Sequence, residues 1–121
     1  MKAHEIVNAL CKDGWKTPNT YCNHFDAIPP ASGVYLFLKA TFGNRPDFGG
    51  YRILYVGKST NLVLRLNGHE ILAMIRRVRE KLDIVQKWFK PMPADQIDEE
   101  EIRLIRRFNP PYNIAHRVRG A

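Results

Sequence analysis

The chain is short of acid, short of cysteine and without long apolar runs, and each shortage closes off a class of protein. Only 12 of its 121 residues are Asp or Glu, against 19 Lys or Arg, which leaves a formal net charge of +7. An excess of that size speaks about partners rather than fold, and it favours a polyanion. Cysteine occurs twice, at Cys11 and Cys22, too seldom for a disulfide scaffold. A chain of this length can bury one core without such staples, and both thiols are expected to be reduced. His4 and His24 lie near them in sequence, but the spacings match no usual zinc-ligand pattern. No apolar run approaches the roughly 18 residues of a membrane span, and Met1-Lys-Ala-His-Glu-Ile lacks the apolar core of a signal peptide. The expectation is a cytoplasmic chain with no membrane partner.

The positive charge is clustered. Arg76, Arg77, Arg79 and Lys81 form one group, and Arg103, Arg106, Arg107, Arg117 and Arg119 form another. Either cluster alone is equally a solvated helix face, and basic charge by itself does not choose between DNA, RNA and an acidic membrane.

Residues 1–27 read as a helix and an irregular extension. Ala3, Ile6, Val7, Leu10 and Cys11 share one helical face, Gly14 stands where a left-handed cap falls, and Pro, Asn and Thr dominate thereafter. Residues 28–121 carry the main pattern. A strand is expected over Ser32 to Lys39, with Val34, Leu36 and Leu38 on one face and Tyr35 and Phe37 on the other. A long loop at 40–50 leads to a second strand, Tyr51 to Val56, in which Leu54 and Val56 oppose Ile53 and Tyr55; Gly57 is expected to end it. Ser59 or Thr60 is the expected cap of a helix beginning near Asn61. That helix places Asn61, Arg65 and His69 on one polar stripe, with Gly68 a breaker just before the histidine.

A further helix is expected over Glu70 to Leu82, with Ile71, Met74, Ile75 and Val78 inward. A third strand follows over Ile84 to Phe89, its lysines suited to a sheet edge. Asp95 is the expected cap of a last helix reaching Phe108. Its apolar stripe is Ile97, Leu104, Ile105 and Phe108, and by helical angle Glu101 lies within that stripe. A lone carboxylate among apolar groups requires a cation, a metal or several donors, so an ion pair with a core arginine such as Arg65 and a metal site stand level. Asp98, Glu99 and Glu100 read as ordinary first-turn charges favoured by the helix dipole.

Gly33-Val34-Tyr35, Tyr55-Val56-Gly57, Arg65, Glu101 and Pro111-Tyr112-Asn113, taken in order, resemble the GIY-YIG nuclease domain over roughly residues 28–115. Tyr55-Val-Gly-Lys-Ser-Thr-Asn-Leu with Arg65 is similar to the nuclease domain of bacterial excision-repair incision proteins, whereas His69 is of the type found in the homing and phage branch. The resemblance implies an α/β (α+β) fold, a small three-stranded antiparallel sheet flanked by helices, and a metal-dependent DNA endonuclease. One Mg²⁺, or Mn²⁺, is then held by Glu101. Arg65 becomes the phosphate clamp, Tyr35 and Tyr55 line the site, and Asn113, Lys58 and Gly57 support it.

For the general base, Tyr55 and His69 stand as a cooperating pair, with the proton acceptor left open. Lys58, Arg65, Arg76, Arg77, Arg106 and Arg107 are the expected nucleic-acid contacts. DNA is the expected partner and RNA stays open; cleavage of both strands by a one-site domain implies a homodimer or successive nicks. Two other readings remain: a nucleic-acid-binding module with a vestigial or partner-dependent site, and a sequence-specific restriction or mobile-element nuclease.

Overall fold

The computed structural model describes residues 3–18, 27–41, 51–78 and 83–113. Helix α1 (Ala3–Lys12) is followed by strands β1 (Gly33–Thr41) and β2 (Tyr51–Ser59), helices α2 (Leu62–Asn67) and α3 (Glu70–Val78), strand β3 (Asp83–Pro91) and helix α4 (Ile97–Phe108). The strands form one antiparallel sheet in the order β2-β1-β3. The fold is α+β, as expected. The 42–50 part of the inter-strand loop, Cys22 with His24, and Arg79, Lys81, Arg117 and Arg119 lie outside the described residues.

β1 is central because its side chains are apolar on both faces. Val34, Leu36 and Leu38 enter a core with Leu10, Trp15, Trp88, Leu104 and Ile105, whereas Tyr35 and Phe37 enter a second with Leu62, Leu66, Leu72 and Ile75. In β2 the expected alternation fails at one point. The register passes from Phe37↔Tyr55 to Leu38↔Ile53, so Leu54 is a bulged residue without a cross-strand partner. One extra residue inverts the phase of everything before it. Ile53 therefore joins Val56 on the α4 side, and Leu54 joins Tyr55 on the other.

Other boundaries differ for local reasons. Gly57 does not end β2, which continues through Lys58 to Ser59. Asn61, rather than Ser59 or Thr60, caps α2: its side chain accepts from the Leu64 amide, while Ser59 Oγ accepts from the Asn61 amide. The Leu62 and Val63 amides donate to Ala31 and Pro29 carbonyls, so the proline-rich approach to β1 satisfies the start of α2. Asp95 is not the cap of α4; Gln96 occupies that position without a side-chain bond. In α3, Leu72 and Ile75 are buried and Met74 is exposed, because the inward face is set by the cluster of Tyr35, Phe37, Leu62 and Leu66 on which the helix packs.

Gly14 adopts the left-handed conformation expected of it (φ +85°). The chain beyond it pairs with β3, whose Phe89 exchanges two backbone hydrogen bonds with Lys16 (2.8 Å each). Thr17 Oγ1 donates to the Lys87 carbonyl at 2.7 Å, so this side of β3 is covered where an open edge was expected. Among the described residues no helix is long and apolar enough to cross a membrane.

Candidate active site

The site lies at the end of the sheet where Gly33 pairs with Ser59, and it begins with a glycine that works by lacking a side chain. Tyr35 and Gly57 are register partners on β1 and β2. A Cβ on Gly57 would fall 2.3 Å from Cζ and 2.4 Å from Oη of Tyr35, so the phenol ring lies across the bare glycine. Gly33 has a parallel role, since a Cβ there would meet the Lys90 carbonyl at 2.5 Å and Leu62 Cδ1 at 2.8 Å. The two glycines let β3, α2 and the tyrosine ring approach the sheet closely.

Tyr35 Oη is the centre of a hydrogen-bonded group. It lies 2.7 Å from His69 Nε2, and Arg65 Nε donates to it at 3.3 Å. The histidine's tautomer follows from its other nitrogen: Nδ1 accepts from the Ile71 amide at 3.1 Å, which makes His69 the cap of α3. Nδ1 must then be unprotonated, Nε2 carries the hydrogen, and Nε2–H donates to Tyr35. Burial, reinforced by the Arg65 charge, pushes His69 down from 6.5 to about 4. His69 is therefore neutral near pH 7 and has no lone pair facing the site. Gly68 does break the helix, and the broken stripe leaves Asn61 as a cap while Arg65 and His69 still converge on Tyr35.

Tyr55 stands beside this group, its ring 6.2 Å from that of Tyr35 and 5.2 Å from that of His69. Phe37, absent from the expected site, stacks on Tyr55 at 5.6 Å and meets the His69 ring edge-on at 5.0 Å. Both phenols are raised above the ordinary value of 10, chiefly by burial. Tyr55 and Glu101 add to the shift of Tyr35, and Glu101 adds to that of Tyr55. The Arg65 charge and a hydrogen bond from Tyr35 act in the opposite direction on Tyr55, as a hydrogen bond and the charge of Arg65 do on Tyr35.

Glu101 faces inward as its helical angle predicts and is only 7% exposed. Its Oε1 lies 4.0 Å from Lys58 Nζ, while Lys58 donates to Asp98 Oδ1 at 2.5 Å. Asp98 thus belongs to the site's rim, a role its place among four consecutive acids concealed. Among the described residues no three His, Cys, Asp or Glu side chains gather into a metal-binding cluster. One hard carboxylate, with the remaining positions left to water and phosphate oxygens, is the way Mg²⁺ is commonly held, and the donor set fits that ion better than zinc.

Asn113 is buried against the outer edge of β2, where its Oδ1 accepts from the Val56 amide at 2.9 Å and its Nδ2 donates to the Val56 carbonyl at 2.8 Å. It closes an edge that has no further strand among the described residues, and its own amide also completes a turn with Pro110. Arg65 holds a partner that sequence reading missed: its two terminal nitrogens donate to Glu70 at 2.9 and 3.0 Å. Only the helix break makes a residue five positions on reachable, and Gly68 was the one signal of it.

Arg76, Arg77, Arg106 and Arg107 are exposed. Arg107 lies over the Phe108 ring and lines a cavity of about 660 Å³ shared with Ile6, Leu10 and Trp15, rather than facing Tyr35. The group Tyr35, Tyr55, Arg65 and His69 is thus assembled directly, with Lys58 and Glu101 bordering it and Asn113 behind. In comparisons with known proteins, no family model, curated protein or solved structure matches the chain.

Proposed function

We propose that the chain is a metal-dependent endonuclease hydrolysing phosphodiester bonds in DNA. The observation that carries this reading is the gathering of Tyr35, Tyr55, Arg65 and His69, residues from two strands, one helix and the cap of another, beside an inward carboxylate in a strongly basic chain. A buried glutamate whose charge acts on two buried phenols is the kind of perturbed cluster that gathers at functional sites.

Phosphodiester hydrolysis needs an activated water and compensation of charge on the phosphoryl oxygens. Glu101 would hold a Mg²⁺ or Mn²⁺ ion, which when bound supplies positive charge at those oxygens. Tyr55 is the residue that takes the proton from water. His69 and Arg65 donate to Tyr35 and hold its ring in place, and the ordered Tyr35 hydroxyl in turn supports Tyr55 as an acceptor. Lys58 brings a second cation to the rim. The resemblance to the GIY-YIG nuclease domain favours the same assignment.

Relaxation of supercoiled plasmid tests the reading. Nicking that requires Mg²⁺ or Mn²⁺ and is lost in Glu101→Ala is expected. Undiminished nicking by that variant sinks the mechanism. Salt-sensitive DNA binding without cleavage under any divalent ion would replace it with a binding module.

A further inference from the structure

The guanidinium of Arg65 serves two partners at once. Its Nε donates to Tyr35 Oη at 3.3 Å, and its two terminal nitrogens meet the two carboxylate oxygens of Glu70 at 2.9 and 3.0 Å. An arginine fork accepts a carboxylate and a phosphate in the same bidentate manner. The face of Arg65 suited to a phosphodiester is therefore already filled by a carboxylate of the chain itself.

The filling is of a kind that opens readily. The Glu70 side chain is 67% exposed and that of Arg65 35% exposed, and ion pairs facing water contribute little to stability. Glu70 also has somewhere to remain. It is the first residue of α3, where helix amides favour a negative charge, and its carboxylate accepts a backbone hydrogen bond there.

We propose that Glu70 is an exchangeable occupant of the phosphate position on Arg65, displaced by two oxygens of a phosphodiester, and that it thereby sets how tightly the site takes a nucleic-acid backbone. While Glu70 is in place, Arg65 Nε stays on Tyr35 and the fork stays aligned. When a backbone arrives, one bidentate partner replaces another and the tyrosine contact persists. Glu70 is thus a specificity-determining residue: a lone small anion gains too little to displace it, whereas a polymer with further contacts does. This inference rests on the nuclease reading of the site.

The experiment is binding of a fluorescein-labelled DNA duplex, followed by anisotropy in EDTA and about 50 mM salt, where backbone contacts dominate affinity. Glu70→Gln is expected to bind about two- to fivefold more tightly than the unmodified chain, the range set by removal of an exposed competing ion pair. Glu70→Asp keeps the charge but shortens the reach, and it is expected to tighten binding too. In an Arg65→Ala background, Glu70→Asp should not alter affinity and the tightening by Glu70→Gln should shrink to less than half. Tightening by Glu70→Gln alone, or equal tightening without Arg65, would reduce the effect to net charge and overturn the proposal. Plasmid nicking by the unmodified chain is scored separately. Coupling between Glu70 and Arg65 without nicking would refute the nuclease reading, and nicking without coupling would refute the exchange.

Discussion

Tyr35 and His69 are joined by a 2.7 Å hydrogen bond whose direction is set by a backbone amide two residues beyond the histidine. Because the Ile71 amide donates to Nδ1, the imidazole can only donate to the tyrosine. The bond ties β1 to the start of α3 and holds the histidine neutral in a buried place. His69 is therefore a positioning residue for Tyr35.

Stability should fall as the pH is lowered because of this histidine. Its pKa in the folded chain is about 4, against an ordinary value of 6.5. Above 6.5 both states are neutral, so its contribution is fully present there; it is lost as pH drops through 6.5 toward 4, when the unfolded chain takes up a proton that the folded chain refuses. Urea unfolding at pH 7.5 and pH 5 should differ by about 2 kcal/mol from this group alone. His69→Gln, which removes the titrating ring, should lose that part of the dependence. Glu70, held down to about 2 by Arg65, titrates below this window.

Gly57 should tolerate no side chain. Alanine there would place a methyl within 2.7 Å of three atoms of the Tyr35 side chain, and the ring cannot move aside without breaking its bond to His69. A loss of about 1–3 kcal/mol is expected from such overpacking, with cleavage falling further than stability. Gly33→Ala should be at least as harmful, because its obstacle is the backbone carbonyl of Lys90. Gly68→Ala is the contrast: nothing lies within 4 Å of its added carbon and its φ is −147°. A change within about 0.5 kcal/mol is expected there. Thermal melts of the three variants rank them.

These glycines mark the boundary of what the sequence could tell. The strand faces of β1 and the inward turn of Glu101 followed from periodicity alone, because a period of two or of 3.6 is a property of the chain itself. Gly57 was legible as special, but its reason lay across the sheet, in a ring on another strand. The bulge at Leu54 was invisible for a similar cause: register belongs to a pair of strands, and no single run of residues encodes it. Glu70 escaped because its reach to Arg65 depends on the angle between α2 and α3, which a break at Gly68 announces but does not set. Asn113 was expected to support the site; it also stands in a turn with Pro110, and its bonds to Val56 depend on β2 being an edge strand, which strand order decides.

Asn113 should be worth more to the fold than its place near the end of α4 suggests. Its amide side chain satisfies both the N–H and the carbonyl of Val56 on a buried edge. Alanine would leave that donor and acceptor unpaired, at a cost of about 1–3 kcal/mol each where water does not reach them. Asn113→Asp should be similarly harmful, since it keeps the acceptor for the amide but sets a second oxygen against the Val56 carbonyl. Urea midpoints test this, and amide hydrogen exchange at Val56 should accelerate in both variants.

The pH profile of cleavage separates the two candidate bases. A phenol raised above 10 by burial and by Glu101 is almost wholly protonated near neutrality, and its ionised fraction grows about tenfold per pH unit. If Tyr55 takes the proton, single-turnover nicking at saturating Mg²⁺ should climb with a slope near one from about pH 6.5 to 9, and Tyr55→Phe should abolish the reaction. A histidine held down near 4 is already unprotonated throughout that range, so a base at His69 would give a flat profile. The tautomer fixed by Ile71 favours the sloping one. A plateau across the range, together with residual activity in Tyr55→Phe, would return the role of base to His69 and require its Nδ1 contact to open during turnover.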